Sequence, residues 1–244
     1  MERTTGLRAA IFGATGGIGG AIVTLLVESG GYSEIHAGGR TPPSINHPSV
    51  SPFTFDLTDE PSIAQAAQAI GADGPLDLAI VATGILHDHK ALSPEKSSRA
   101  LEGDSLARVF AVNTIGPALV AKHIMPLLRR DKRAVFAGLS ARVGSIADNR
   151  LGGWHSYRAS KAALNMLFRN FAIEFEGRNP QGIVVTIHPG TVDTALSRPF
   201  QRGVSQGKLF EPKQSAAHIL SVLDGLSAED SGSLFAWNGE RIPF

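Results

Sequence analysis

A short apolar run that ends in a burst of glycine constrains this chain more than any other feature. Arg8–Phe12 is closed by Gly13-Ala14-Thr15-Gly16-Gly17-Ile18-Gly19-Gly20, and Ile18–Val27 then carries apolar residues at helical spacing. The segment reads as strand, tight turn, helix. Gly13, Gly17 and Gly19 stand in the spacing G-x-x-x-G-x-G. At the carboxyl end of a first strand, such glycines allow the turn, let a pyrophosphate approach the backbone and let the helix pack close. The helix N-terminus adds unpaired N–H groups and a positive dipole end. Gly13, Thr15, Gly16, Gly17, Ile18 and Gly19 are therefore candidate phosphate-binding residues. A merely flexible glycine-rich turn is the bland alternative, and the flanking strand and helix weigh against it.

The rest of the chain repeats this alternation. Glu34–Ala37, Val50–Phe55, Leu76–Val81, Ala134–Leu139, Ile183–His188 and Ser233–Ala236 read as further strands. Pro61–Ile70, with Asp59 as N-cap, Ser105 to about Arg129, Ser156–Glu176 and Pro212–Leu226 read as helices. Pro117 and Pro126 predict a kink or break in the long one. Strands alternating with helices imply parallel pairing and right-handed crossovers, hence an α/β, doubly wound Rossmann fold. No linker or repeat divides the chain, so one domain over 1–244 is expected. Thr41–Pro52 reads as an internal loop, and Ser197–Lys208 as a mobile insertion before the last helix.

Composition narrows the class. The chain has 244 residues, no cysteine and 27 glycines. That is about 11% glycine against a usual ~7%. Without cysteine there is no disulfide scaffold, thiolate metal site or thiol nucleophile. Lys and Arg total 23 against 22 Asp and Glu, a net charge of +1. So even a balance argues against nucleic acid as the main partner. The N-terminus lacks a signal-peptide core and no run reaches the roughly 20 apolar residues of a membrane span, so a cytoplasmic protein is expected.

Two places carry candidate chemistry. The second strand ends Ala37-Gly38-Gly39-Arg40, with no carboxylate for ribose hydroxyls but with a guanidinium suited to a 2′-phosphate. This predicts NADP(H) over NAD(H). Asp56, after the third strand, suits an adenine contact, with a helix or turn cap as the bland alternative. Tyr157-Arg158-Ala159-Ser160-Lys161 places a phenol and an ammonium four residues apart on one helix face. A phenol ionises near pH ~10, and a nearby cation lowers that value. On spacing alone, an exposed Tyr/Lys pair at a helix start remains the simpler reading.

These motifs together resemble the short-chain dehydrogenase/reductase family over nearly the whole chain. The resemblance rests on Gly13–Gly19, Asp56-Leu57, Asn113-Thr114-Ile115-Gly116, Tyr157 with Lys161, and Pro189-Gly190-Thr191-Val192-Asp193-Thr194. Ser140-Ala141-Arg142-Val143-Gly144-Ser145-Ile146, Gly152-Gly153-Trp154 and the ending Gly239–Phe244 look more narrowly like the carbonyl-reductase subgroup that includes sniffer and the C-factor signalling proteins. The resemblance implies a seven-stranded parallel sheet and a homodimer or homotetramer built on the helices around Ser105–Arg129 and Ser156–Glu176. It implies NADP(H) and a small carbonyl or alcohol substrate. Tyr157 would protonate the carbonyl, Lys161 would lower its pKa, Asn113 would position a relay water, and a serine would polarise the carbonyl. Leu57, Thr83, Gly84, Pro189, Gly190, Val192 and Thr194 would complete the cofactor site with Tyr157 and Lys161.

The departures are specific. Phe12 stands where the family has Thr, and Val81-Ala82-Thr83-Gly84 replaces Asn-Asn-Ala-Gly. Ala141 falls where the catalytic serine belongs, so Ser140, or failing that Ser145, is expected to take over. This leaves a signalling or regulatory protein with little turnover as the alternative to an enzyme. His87-Asp88-His89 lacks a third metal partner and reads as a substrate-side loop, so no metal is expected. Trp154 and His155 are expected to line the substrate pocket.

Overall fold

The computed structural model describes residues 6–88, 92–205 and 207–244. The chain runs β1 (Leu7–Phe12), α1 (Gly17–Ser29), β2 (Tyr32–Gly39), β3 (Val50–Thr54), α2 (Glu60–Gly71) and β4 (Leu78–Val81). Next come α3 (Gly103–Phe110), α4 (Gly116–Ile124), β5 (Ala134–Leu139), α5 (His155–Glu176) and β6 (Gly182–His188). It continues with β7 (Thr191–Val192), β8 (Leu209–Phe210), α6 (Pro212–Gly225), β9 (Leu234–Ala236) and β10 (Arg241–Ile242).

The main sheet runs β3-β2-β1-β4-β5-β6-β9-β10. It has eight strands rather than the seven expected. The extra one, β10, pairs antiparallel with β9. Gly239 turns the chain at φ +82°, and the four residues between these strands are too few for a crossover, so the last strand can only fold back. All other pairings in this sheet are parallel.

Alternation along β1 shows how the sheet is covered. Ala10 and Phe12 face a core completed by α2, α4 and α5, through Ile63, Val120, Ile124, Leu164 and Phe168. Ala9 and Ile11 face the opposite core, completed by α1 and α6 through Ile22, Val23, Ile219 and Leu223. Successive side chains on a strand point to opposite faces, so a fully apolar strand serves both layers. Strand order reverses between β1 and β4, which opens a crevice at their carboxyl ends.

The predicted break in the long helix occurs at both prolines. Before Pro117 the backbone widens into a π turn over Ala111–Ile115, and the Gly116 N–H reaches back five residues to the Ala111 carbonyl. Pro117 has no N–H to return to Asn113, so the regular ladder cannot pass through it. Pro126 lies in a 3₁₀ turn, Met125–Leu127, that ends the element. Asp59 occupies the N-cap position of α2 as expected, but its carboxylate makes no capping bond. The segment before α6 contains a 3₁₀ stretch, Arg198–Gly203, and β8, which pairs in parallel with β7.

Candidate active site

The glycine turn sits at the crevice, and its packing accounts for the glycines. Gly13 has φ +100°, and a Cβ there would lie 2.8 Å from the Ala82 carbonyl oxygen and 3.0 Å from Thr83 Cγ2. A Cβ on Gly19 would strike the Gly13 carbonyl. One on Gly17 would lie 3.0 Å from Thr194 Cγ2, so the turn meets the segment after β6 directly. α1 starts after Gly16 with no side-chain cap, leaving its first-turn N–H groups without an intrahelical partner. Thr83 Oγ1, at the end of β4, is buried with no hydrogen-bond partner. A Cβ on Gly84 would lie 3.4 Å from Asn113 Oδ1 and 3.7 Å from Lys161 Nζ. A bare backbone cradle, an exposed helix start and an orphaned hydroxyl along one edge fit a dinucleotide phosphate and its nicotinamide end.

At the adenosine end the glycines of β2 serve packing. The Phe53 ring fills the place of the side chain that Gly38 lacks. Gly39 makes room for Thr15, whose Oγ1 would lie 2.8 Å from a Cβ there. Phe12 packs edge-on against Phe53 and Phe55, at 5.1 and 5.0 Å between centroids. Arg40 is exposed. Asp56 Oδ1 accepts the N–H of Thr58 at 2.8 Å and its hydroxyl at 2.7 Å. These bonds, with a smaller contribution from Arg40, hold its carboxyl below the usual range. Asp56 therefore caps the turn before α2. The Leu57 side chain is buried in the α2–α4 core against Gly116, so its backbone is what it offers a cofactor.

Tyr157 and Lys161 open α5 and are both buried, with Lys161 Nζ 5.8 Å from the Tyr157 ring centre. Lys161 Nζ donates to the Leu139 carbonyl at 2.8 Å. Burial pushes Tyr157 up to about 12 and Lys161 down to about 8. In the protein alone, desolvation thus outweighs the expected lowering of Tyr157 by its lysine. Asn113, fully buried in the π turn, brackets Ile85: its Oδ1 accepts the Ile85 N–H at 2.7 Å and its Nδ2 donates to the Ile85 carbonyl at 2.8 Å. Nδ2 also reaches Ser160 Oγ at 3.2 Å, and that hydroxyl donates to the Tyr157 carbonyl at 2.8 Å.

Ser140 does not take the place expected of it. Its hydroxyl donates to Asn165 Oδ1 at 2.7 Å. Ala141, its neighbour, is the residue packed in one cluster with Tyr157 and Leu86. Adjacent extended residues point to opposite sides, so Ser140 cannot share that wall. Ser145 Oγ accepts the Asp148 N–H at 3.0 Å. Neither serine bonds to Tyr157.

The wall around Tyr157 is apolar. Val143, Trp154, Leu196 and Phe200 pack against Leu86, Ala141 and Tyr157. Trp154 lies edge-on to Tyr157 at 6.3 Å and to Phe200 at 5.1 Å. Phe200, in the segment after β7, and Leu86 are wall residues that sequence spacing did not single out. The entry to α5 is strained: Gly152, Gly153 and Trp154 have φ of +62°, +65° and +51°. For Trp154 this costs of order 1 kcal/mol. His155, expected to line the pocket, has a buried Nε2 with no hydrogen-bond partner.

The loop after β4 brings His87 against the segment after β7. His87 Nε2 is 3.0 Å from the Ala195 carbonyl oxygen, and its ring meets Phe200 at 5.6 Å. Asp88 accepts the Leu92 N–H and pairs with Arg108. His89 lies outside the described residues. Elsewhere, Glu34, His36 and Asp73 bring possible ligand atoms together. The Arg8 guanidinium already occupies that spot, within 3.2 Å of Glu34 and 2.8 Å of His36 Nε2.

A family profile described as short chain dehydrogenase matches residues 8–204. The chain belongs to that family. C-signal of Myxococcus xanthus is 34% identical over 172 residues, covering 70% of this chain and 94% of that protein. Among solved structures, an NADPH-bound carbonyl reductase from chicken fatty liver is 26% identical, with a TM-score of 0.84 over 99% of this chain and 100% of that one. Carbonyl reductase Sniffer of D. melanogaster shares the fold at 19% identity, with a TM-score of 0.81 over 99% of this chain and 100% of that one.

Proposed function

We propose that the protein is an NADPH-dependent reductase of small carbonyl compounds, able also to oxidise the corresponding alcohol, with Tyr157 as general acid and base. The observation that carries this reading is the buried Tyr157–Lys161 pair beside a backbone cradle lined by an orphaned hydroxyl. Gly13, Thr15, Gly16, Gly17, Ile18 and Gly19 would hold the pyrophosphate, Arg40 the 2′-phosphate, and Asp56 and Leu57 the adenosine. Thr83, Gly84, Pro189, Gly190, Val192 and Thr194 would hold the nicotinamide end together with Tyr157 and Lys161. NADPH, when bound, supplies the hydride.

Tyr157, whose burial further favours the neutral form, is a phenol poised to donate its proton to a carbonyl oxygen in the apolar pocket. Lys161 keeps its charge at neutral pH and steadies the phenolate that remains. Asn113 has committed its side chain to Ile85 and Ser160, so its main-chain carbonyl, which Pro117 cannot cap, is the group left to hold a relay water. Ser140 drops out as the carbonyl donor on the geometry above. NADPH consumption over a panel of carbonyl compounds tests the reading: Tyr157→Phe should lose at least on the order of 10²-fold in kcat. Full turnover in that variant would overturn it.

Ala141 favours a second reading, a cofactor-binding regulatory protein with little turnover. NADPH binding without oxidation by any carbonyl of the panel would establish that one instead. For either reading the proposed assembly is a cytoplasmic homodimer or homotetramer, supported by the exposed apolar Ile115, Met166 and Ile173. Light scattering at a monomer's mass would refute it.

A further inference from the structure

Helix α5 carries Tyr157 in its first turn, yet its own sequence offers nothing to cap it. The N-cap position is Trp154, which makes no side-chain cap and sits in the left-handed region after two positive-φ glycines. A helix start like this leaves N–H groups unsatisfied and the entering chain strained. Two of these groups, the N–H of Trp154 and that of Ser156, are satisfied from a distant loop. Glu95, buried to 5% exposure, accepts the Ser156 N–H on Oε2 at 3.1 Å and the Ser156 hydroxyl on Oε1. Its main-chain carbonyl accepts the Trp154 N–H. A Cβ on Gly153 would lie 3.5 Å from that same carbonyl oxygen. One residue thus holds both ends of the strained entry, immediately before the proposed acid.

We propose that Glu95 is a positioning residue for Tyr157, replacing the missing N-cap of α5 from the loop after β4. A carboxylate facing a helix N-terminus is also favoured by the helix dipole. Leu86, nearer the end of β4, packs in one cluster with Tyr157. The inference rests on Tyr157 being the acid.

The test uses a spectroscopic signature first. The chain has two tyrosines, Tyr32 and Tyr157. Labelling with 3-fluorotyrosine therefore gives two fluorine resonances, assigned by Tyr32→Phe. Glu95→Ala should shift or broaden the Tyr157 resonance and leave that of Tyr32 in place. Glu95→Gln, which keeps one acceptor for Ser156, should restore most of the native position. An unmoved Tyr157 resonance in Glu95→Ala, or in Ser156→Ala (which removes the hydroxyl bonded to Glu95) should the Glu95→Ala variant not fold, overturns the proposal.

Kinetics with benzil, an apolar diketone suited to the wall, give the second readout. Glu95→Ala should lower kcat on the order of 10²-fold, since small misplacements near the reacting atoms cost that much, with KM for NADPH within about twofold. Equal kcat, or parallel losses in kcat and cofactor KM, would refute the positioning role. Should Tyr157→Phe keep full turnover while the fluorine shift is seen, the acid assignment fails and the cap survives.

Discussion

Ala141 is the residue at which this chain departs most from its family. It sits on the wall beside Tyr157, where the family's hydroxyl would help polarise the carbonyl. Ala141→Ser should raise kcat about tenfold, since a single well-placed donor at a developing oxyanion contributes that much or more. Steady-state NADPH oxidation checks it. Lys161 makes a pH prediction with a definite sign. Its folded value, about 8, lies below the ordinary 10.5, so between these values the unfolded chain binds more protons. Stability therefore rises with pH across that window. Lys161→Met should flatten this slope and raise the melting temperature at pH 7, while abolishing turnover. Reduction in the native protein should fall as pH rises through about 8, when the ammonium is lost. The family resemblance named Tyr157, Lys161 and Asn113 together, and all three are buried. The sequence could not show which way Ser140 points, because facing is set by strand register. Nor could it show Glu95, whose partner Ser156 lies 61 positions away. The only local signal was an absence: Gly-Gly-Trp-His contains no residue able to cap α5.

At the level of elements, all seven expected strands and the glycine turn were legible, because a buried parallel strand needs a short apolar run and a phosphate turn needs bare backbone. The eighth strand was not legible: two residues carry no periodicity, and β10 exists only because Gly239 turns the chain. The break in the long helix was legible from Pro117 and Pro126, but the π form it takes was not, since Asn113's bonds to Ile85 are long-range contacts. Gly19→Ala tests the first turn, since its methyl group would strike the Gly13 carbonyl. Backbone rather than a flexible side chain must move, so the loss should reach about 1–3 kcal/mol, measured by urea unfolding. NADPH affinity should fall with it. Arg40→Ala tests the ribose end: an exposed charged hydrogen bond is lost, NADPH KM should rise about tenfold, and NADH KM should stay put.

Across the whole molecule, two apolar layers and a sheet hold a site assembled from at least five separate segments. Binding to that folded site alone should stabilise everything it touches. At a hundredfold excess over its dissociation constant, NADPH should add about 2.7 kcal/mol, seen as a rise of roughly 5–10 °C in Tm. NADH at the same concentration should give less. The opposite edge of the sheet is held by Arg8, which links β1 and β2 to the end of α2 through Glu34, His36 and Asp73. The short ladder of β7 with β8 has a different consequence. Thr191 pairs with Leu209 and Val192 with Phe210, so the intervening stretch leaves and re-enters the body at one place. Lengthening or exchanging a stretch anchored this way costs little chain entropy, roughly 0.6 kcal/mol per doubling. Phe200 rides on it, so pocket shape can diverge between relatives by replacing the part of this cassette beyond Thr194, with the strands left untouched.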